Sequence, residues 1–145
     1  MGHNNISKFQ FIGFQILESK ISHVVGKKAK REFQVGFDLK GKIYKEKNLF
    51  ELFLDVQISE ATGPFSAEIK SLGKFHFDKK LEMRELSNYF YINAPAILFP
   101  YIRAYISSLT ALSGGETVTL PTINLTALGE SLKKNTEVIQ FTDKE

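Results

Sequence analysis

The sequence predicts an α+β fold: a four-stranded antiparallel sheet, apolar on one face, with a long helix and a short C-terminal helix. Two patterns carry this. In the first half apolar residues recur at every second position, as on half-buried strands. In the second half they recur at spacings of three and four, as on an amphipathic helix. The size agrees: 145 residues, 43% hydrophobic and 24% charged, make one domain with a core of its own. Residues 1–145 read as that single domain, with 135–145 as a flexible tail.

The first strand carries Phe9 and Phe11 on one parity, then Phe14 and Ile16 on the other. A β-bulge at Ile12-Gly13 returns both pairs to one face. Phe33, Val35, Phe37 and Leu39 alternate cleanly with polar neighbours and Gly36. Phe50, Leu52, Leu54, Val56 and Ile58 share a face opposite Glu51, Asp55 and Gln57, with Phe53 on the polar side. Phe65, Ala67, Ile69, Ser71, Gly73, Phe75 and Phe77 share one parity in the fourth strand. Asp78 to Tyr89 reads as a short helical segment around Leu81, Arg84 and Glu85. Asn93-Ala94-Pro95 reads as a helix start, with Asn as cap and Pro in the first turn. Ile97, Leu98, Tyr101, Ile102, Tyr105, Leu109 and Leu112 form the stripe, and Gly114-Gly115 ends it. Pro100 lies inside the stripe and predicts a kink or loose turn. Val118, Leu120, Ile123 and Leu125 are apolar teeth on a loop, after which Thr126 caps a short helix ending near Lys134.

Composition narrows the chemistry. With no Cys there is no disulfide, thiolate nucleophile, zinc finger or iron–sulfur cluster. The three His lack metal-ligand spacing, no Ser sits in a Gly-x-Ser-x-Gly elbow, and Gly114-Gly115 is not followed by the Lys of a phosphate loop. Glu51 and Asp55 solvate the polar face of a strand. Nothing calls for an enzyme, a metal or a cofactor. No apolar run approaches the roughly 20 residues of a membrane span, and Met1 to Lys8 lacks a secretory apolar segment; the expectation is a cytoplasmic protein without membrane insertion.

The net charge is +3, but Lys20 to Lys47 holds nine basic residues against three acidic, leaving −3 for the rest. The run Lys27 to Arg31 reads as a solvated loop protecting a strand edge. The alternative is a basic nucleic-acid-binding module with steep salt dependence. Thirteen Phe and five Tyr without Trp exceed what one sheet and one long helix bury. The surplus implies an apolar surface for another subunit or a hydrophobic ligand; a small-molecule carrier is a third reading.

The run Asn93-Ala94-Pro95-Ala96-Ile97-Leu98-Phe99-Pro100-Tyr101-Ile102-Arg103 resembles the SecB family of protein-export chaperones, where an Ile-Leu-Phe-Pro-Tyr-x-Arg run opens the long helix. The likeness continues through Ile106-Ser107-Ser108-Leu109 and Leu120-Pro121-Thr122-Ile123-Asn124-Leu125, and upstream through Phe65-Ser66-Ala67-Glu68-Ile69 and Gly73-Lys74-Phe75. The resemblance implies a homotetramer, a dimer of dimers, that acts as an ATP-independent holdase. Its partners would be unfolded or precursor polypeptides held in a hydrophobic groove. Candidate groove residues are Phe33, Phe37, Leu52, Leu54, Phe65, Leu120 and Ile123. Candidate oligomer contacts are Ala67, Ile69 and Ser71 on the last strand with Tyr101 and Tyr105 on the helix. Arg103 is expected to pair with a carboxylate or backbone carbonyl. Family members are typically acidic and dock on the SecA motor through the outer sheet face. Here Glu68 stands at such a position, but Lys20-Ile21-Ser22-His23-Val24 departs from it, which puts SecA docking in question. Other SecB-like proteins are solitary or guard an antitoxin.

Overall fold

A computed structural model describes residues 9–23, 32–60, 65–80 and 82–139. The basic run Lys27 to Arg31, Leu81 and residues 140–145 lie outside the described residues.

Alternation builds four long strands: β1 (Phe9–Ser22), β2 (Phe33–Tyr44), β3 (Leu49–Glu60) and β4 (Ser66–Phe77). A 3-10 turn, Lys45–Lys47, joins β2 to β3, and Asn48 closes it in the left-handed region at φ 52°. After β4 come α1 (Met83–Asn88), a π turn (Tyr89–Asn93), α2 (Ala94–Leu112), a 3-10 turn (Thr126–Leu128), α3 (Gly129–Lys134) and β5 (Thr136–Ile139). The sheet order is β1-β4-β3-β2-β5. The first four strands pair antiparallel, and β5 runs parallel to β2.

Three expectations are corrected. The sheet has five strands rather than four, because the segment expected to fray carries β5. Four residues are too few to show a period, and the unpaired edge of β2 supplies their partners. Asn93 is not a cap: it is itself helical and makes no side-chain capping bond. The π turn delivers the chain to α2 already wound, so no orphan amides await a cap. The side-chain cap of the later turn likewise belongs to Asn124, whose Oδ1 accepts from the Thr126 amide at 3.0 Å.

The bulge is where the alternation places it. The β1–β4 register shifts between Phe11 and Gly13. Phe9, Phe11, Phe14 and Ile16 thereby all face odd-numbered residues of β4: Phe77, Phe75, Gly73 and Ser71. A second shift between Ile16 and Glu18 puts Ser19 and Ile21 on that same face.

The core lies between this face and α2. Phe50, Leu52, Leu54, Val56 and Ile58 on β3 are almost wholly buried, as are Leu98, Ile102 and Ile106 on α2. Gly73 lets the helix approach, since a Cβ there would lie 3.1 Å from a methyl of Leu98. Pro100 sits within α2 without ending it; Pro100 and Ala96, whose carbonyl loses a donor, are both exposed to water. Gly114, at φ +88°, follows the helix end, and the Ser113 amide bonds the carbonyls of Leu109 and Thr110.

Phe90, from the π turn, is the aromatic hub. It stacks on Phe50 at 4.3 Å and meets Phe9 at 5.6 Å and Phe77 at 5.3 Å. Phe90→Ala therefore costs about 3–5 kcal/mol, whereas Phe53→Ala on the outer face costs under about 2 kcal/mol, because its ring is only partly buried. Urea unfolding of both variants checks the contrast; equal losses would mean that the sheet faces are misassigned.

Candidate functional site

The helix α2 has two flanks besides its core face. Positions 101 and 105 lie about 40° apart on the helical wheel, and positions 103, 107 and 110 cluster on the opposite side. The first flank meets β1. Tyr101 packs against Phe11 and Phe14 at 5.2 and 5.1 Å, and the Tyr105 hydroxyl lies 2.9 Å from Ser19 Oγ. The second flank holds the long loop. Arg103 Nε donates to the Leu120 carbonyl at 2.9 Å, and Ser107 Oγ to the Val118 carbonyl at 3.1 Å. Thr110 Oγ1 accepts from the Val118 amide at 2.9 Å. Arg103 thus takes the carbonyl partner expected of it.

Below the second flank runs β2, with Phe37 edge-on to Phe99 of α2 at 5.7 Å and Phe33 edge-on to Phe65 at 5.9 Å. Phe33, Val35 and Phe37 are half-buried against the core, and so is Ile123 of the loop. The outer edge of β2 is divided. Toward Tyr44 it pairs with β5. At the division, the Asn135 carbonyl accepts from the Gly41 amide at 3.2 Å, and Asn135 Nδ2 donates to the Leu39 carbonyl at 3.3 Å. Odd-numbered residues therefore direct their amides and carbonyls outward. Among the described residues, no strand pairs with that edge from Phe33 to Phe37. Among the described residues, those whose backbone groups find no strand partner there are the same ones that offer half-buried apolar side chains.

Of the seven candidate groove residues, Phe33, Phe37 and Ile123 reach this surface. Leu52, Leu54, Phe65 and Leu120 do not: each is buried to 4% exposure or less. Leu52 and Leu54 sit on β3, between two strands and under α2, so they form the floor rather than the surface. Val35 belongs with Phe33 and Phe37 by alternation and is half-buried like them, although it is not among the seven candidate groove residues. Of the candidate contacts between copies, Ala67, Ile69 and Ser71 are buried inside one copy, and Ser71 Oγ donates to the Leu54 carbonyl at 2.8 Å. A partner cannot reach them without unpacking the core. Tyr101, 43% exposed, is accessible, beside Phe14 at 39%.

The outer sheet face is mixed in charge. A depression of about 560 Å³ is lined by Leu17 and Phe53 together with Asp38, Lys40, Lys42, Asp55 and Lys70. Lys42 Nζ lies 5.5 Å from the Phe53 ring. Glu18 bridges to Lys20 at 3.6 Å and Lys70 at 3.7 Å, exposed pairs that contribute little. Asp55 faces Asp38 across β2–β3. Burial, and then the nearby Glu68, push the Asp55 carboxyl above its ordinary range. Among the described residues, no group of three or more His, Cys, Asp or Glu could hold a metal ion.

Comparison with known proteins gives a consistent result. The family described as preprotein translocase subunit SecB matches residues 12–135. The protein-export protein SecB of Anaplasma phagocytophilum is 34% identical over 87 residues, 57% of this chain and 55% of that one. The SecB of Anaplasma marginale (strain Florida) is 32% identical over 84 residues, 56% and 48% respectively. The SecB of Ehrlichia canis is 30% identical over 102 residues, 63% and 58%. The chain spans about half the length of the curated relatives it matches. Among solved structures, the Mycobacterium tuberculosis Rv1957 SecB-like chaperone, in complex with a ChAD peptide from the HigA1 antitoxin, superposes with a TM-score of 0.66. The match covers 80% of this chain and 88% of that one at 16% identity, so it speaks to the fold.

The raised Asp55 carboxyl has a pH signature. The folded protein holds that proton to higher pH than the unfolded chain does. The stability it contributes is present below the unfolded value and is lost as pH rises through the folded one. Asp55→Asn should therefore raise Tm at pH 7, with the gain shrinking toward pH 4; a gain independent of pH would assign the effect to packing.

Proposed function

The chain belongs to the SecB family of preprotein translocase subunits, and on that footing we propose that it is an ATP-independent holdase for unfolded or precursor polypeptides. The observation that carries this reading is the edge of β2, where Phe33, Val35 and Phe37 combine half-buried apolar side chains with outward backbone groups. Such an edge recognises what every non-native chain exposes: an extended backbone and apolar side chains, in no particular sequence. Magnitudes favour reversible capture. Burying one client Leu or Phe side chain contributes about 1.5–3 kcal/mol. Three such contacts give roughly 5–9 kcal/mol before the client's ordering cost is subtracted, so each site binds weakly and lets go.

Self-assembly completes the reading. β1 is the other edge strand, and the exposed Ile12, Phe14, Leu17 and Tyr101 lie on or beside it. A second copy placed there hides this apolar surface, and two such dimers make the homotetramer. Because Ala67, Ile69 and Ser71 are core, Tyr101, Tyr105 and β1 take over the contact. The outer face alternates charge, with Lys20 paired beside Glu68, which favours a client such as a precursor or an antitoxin segment over docking on SecA by acidic contacts.

Two outcomes follow. Val35→Glu should weaken binding of a permanently unfolded polypeptide by about ten-fold or more while Phe53→Ser on the outer face leaves it unchanged; fluorescence titration reads both, and equal effects would remove the β2 edge from the site. Tyr101→Asp should lower the assembly mass in sedimentation without loss of folding, since its side chain is already 43% exposed; an unchanged mass would place the contact elsewhere.

A further inference from the structure

The C-terminal strand differs from the rest of the sheet. It is four residues long and parallel to β2, whereas every other pair is antiparallel over long registers. Parallel pairing is slightly weaker per residue. Its side chains bury little: Glu137 and Val138 are exposed, and Thr136 and Ile139 half-buried. The preceding element is held far better, since Leu132 of α3 is fully buried. The hold on β2 begins at Asn135, whose carbonyl and side-chain amide both engage the β2 edge. At Gly41 the missing side chain makes room for this segment, as a Cβ would lie 2.6 Å from Thr136 Oγ1.

We propose that residues 135–139 form a displaceable strap: they occupy the half of the β2 edge that a long client strand would take, and they unpair to admit it. The inference rests on the holdase reading above. With the strap in place, a client finds the edge only from Phe33 to Phe37 before meeting Asn135. With the strap lifted, outward backbone groups continue through Leu39, Gly41 and Ile43. The space over Gly41 that Thr136 fills becomes a place for a client side chain. Extended chain rises about 3.3 Å per residue, so about five client residues fit the short stretch and about twelve the full edge. The device therefore selects for length: short segments bind without moving the strap, and long ones are penalised by its closed population. A strap open about one-tenth of the time lowers apparent affinity about ten-fold.

The chain has no Cys, so an engineered disulfide is unambiguous. Lys42 and Glu137 are register partners on the outer face, away from the core. The double variant Lys42→Cys/Glu137→Cys, oxidised, should bind an apolar extended peptide of about twelve residues at least about ten-fold more weakly than when reduced, and one of about five residues equally in both states. Glu137→Pro removes an amide facing β2, two residues on from Asn135, and should tighten binding of the long peptide only. In the unaltered protein, the long peptide should speed hydrogen exchange at Glu137 and Ile139. Equal long-peptide affinity in the oxidised and reduced states, with binding intact, overturns the strap and leaves the holdase standing. Failure of both peptides to bind any form overturns the holdase reading and the strap with it.

Discussion

One helix cannot roof four strands. An α-helix is about 10 Å across with its side chains, while four strands spaced about 4.8 Å apart span roughly 15–19 Å. α2 therefore seals the middle of the sheet and leaves its margins half-covered. The burial pattern follows this limit. Every inward residue of β3 from Phe50 to Ile58 is nearly inaccessible, while Phe33, Val35 and Phe37 on β2 and Phe11, Ile16 and Ile21 on β1 are only half-buried. Apolar side chains that are ordinary core in the centre become, at the margins, surface that can meet another chain.

The two margins are finished differently. At β1, the Tyr101 and Tyr105 flank of α2 lies along the strand with aromatic contacts and one hydroxyl pair, and the exposed Phe14 and Tyr101 remain in water. At β2, three side-chain hydrogen bonds from Arg103, Ser107 and Thr110 hold the returning loop against α2. The chain then runs through α3 to Asn135 and covers only the Tyr44 half of the edge. On the proposed reading one edge takes a second copy and the other an extended client, with β5 as the strap that bounds the second. Arg103 illustrates the economy of the long helix: the residue three positions past Pro100 serves the loop, while Tyr101 serves the opposite flank.

Much of this was legible in the sequence. Period two located four strands, and the parity switch at Ile12-Gly13 identified a bulge, because side-chain alternation is a local property. The helix end was legible because the Gly114-Gly115 pair accepts positive φ at no steric cost, and Gly114 takes it. What depended on neighbours in space was not legible. Leu52 and Leu54 have the same pattern as Phe33 and Phe37, and only their place in the strand order separates floor from rim. Ala67, Ile69 and Ser71 alternate as an interface would, but β4 lies between two strands and under the helix. Asn93 looked like a cap because the π turn before it leaves no mark in residue spacing. β5 is too short to show a period, and its pairing depends on an edge more than ninety residues earlier. The run from Asn93 to Arg103 suggested the family because it combines proline, flanking aromatics and arginine at spacings that a generic amphipathic helix does not require.

The central claim is that the half-covered margin of β2 receives non-native chains. The most direct measurement is the mass of the assembly by light scattering, alone and with a permanently unfolded polypeptide, without nucleotide. The account predicts that the assembly gains the mass of one client chain and loses that gain when Val35→Glu is introduced. A mass unchanged by the unfolded polypeptide would contradict it and leave a shared fold without the shared activity.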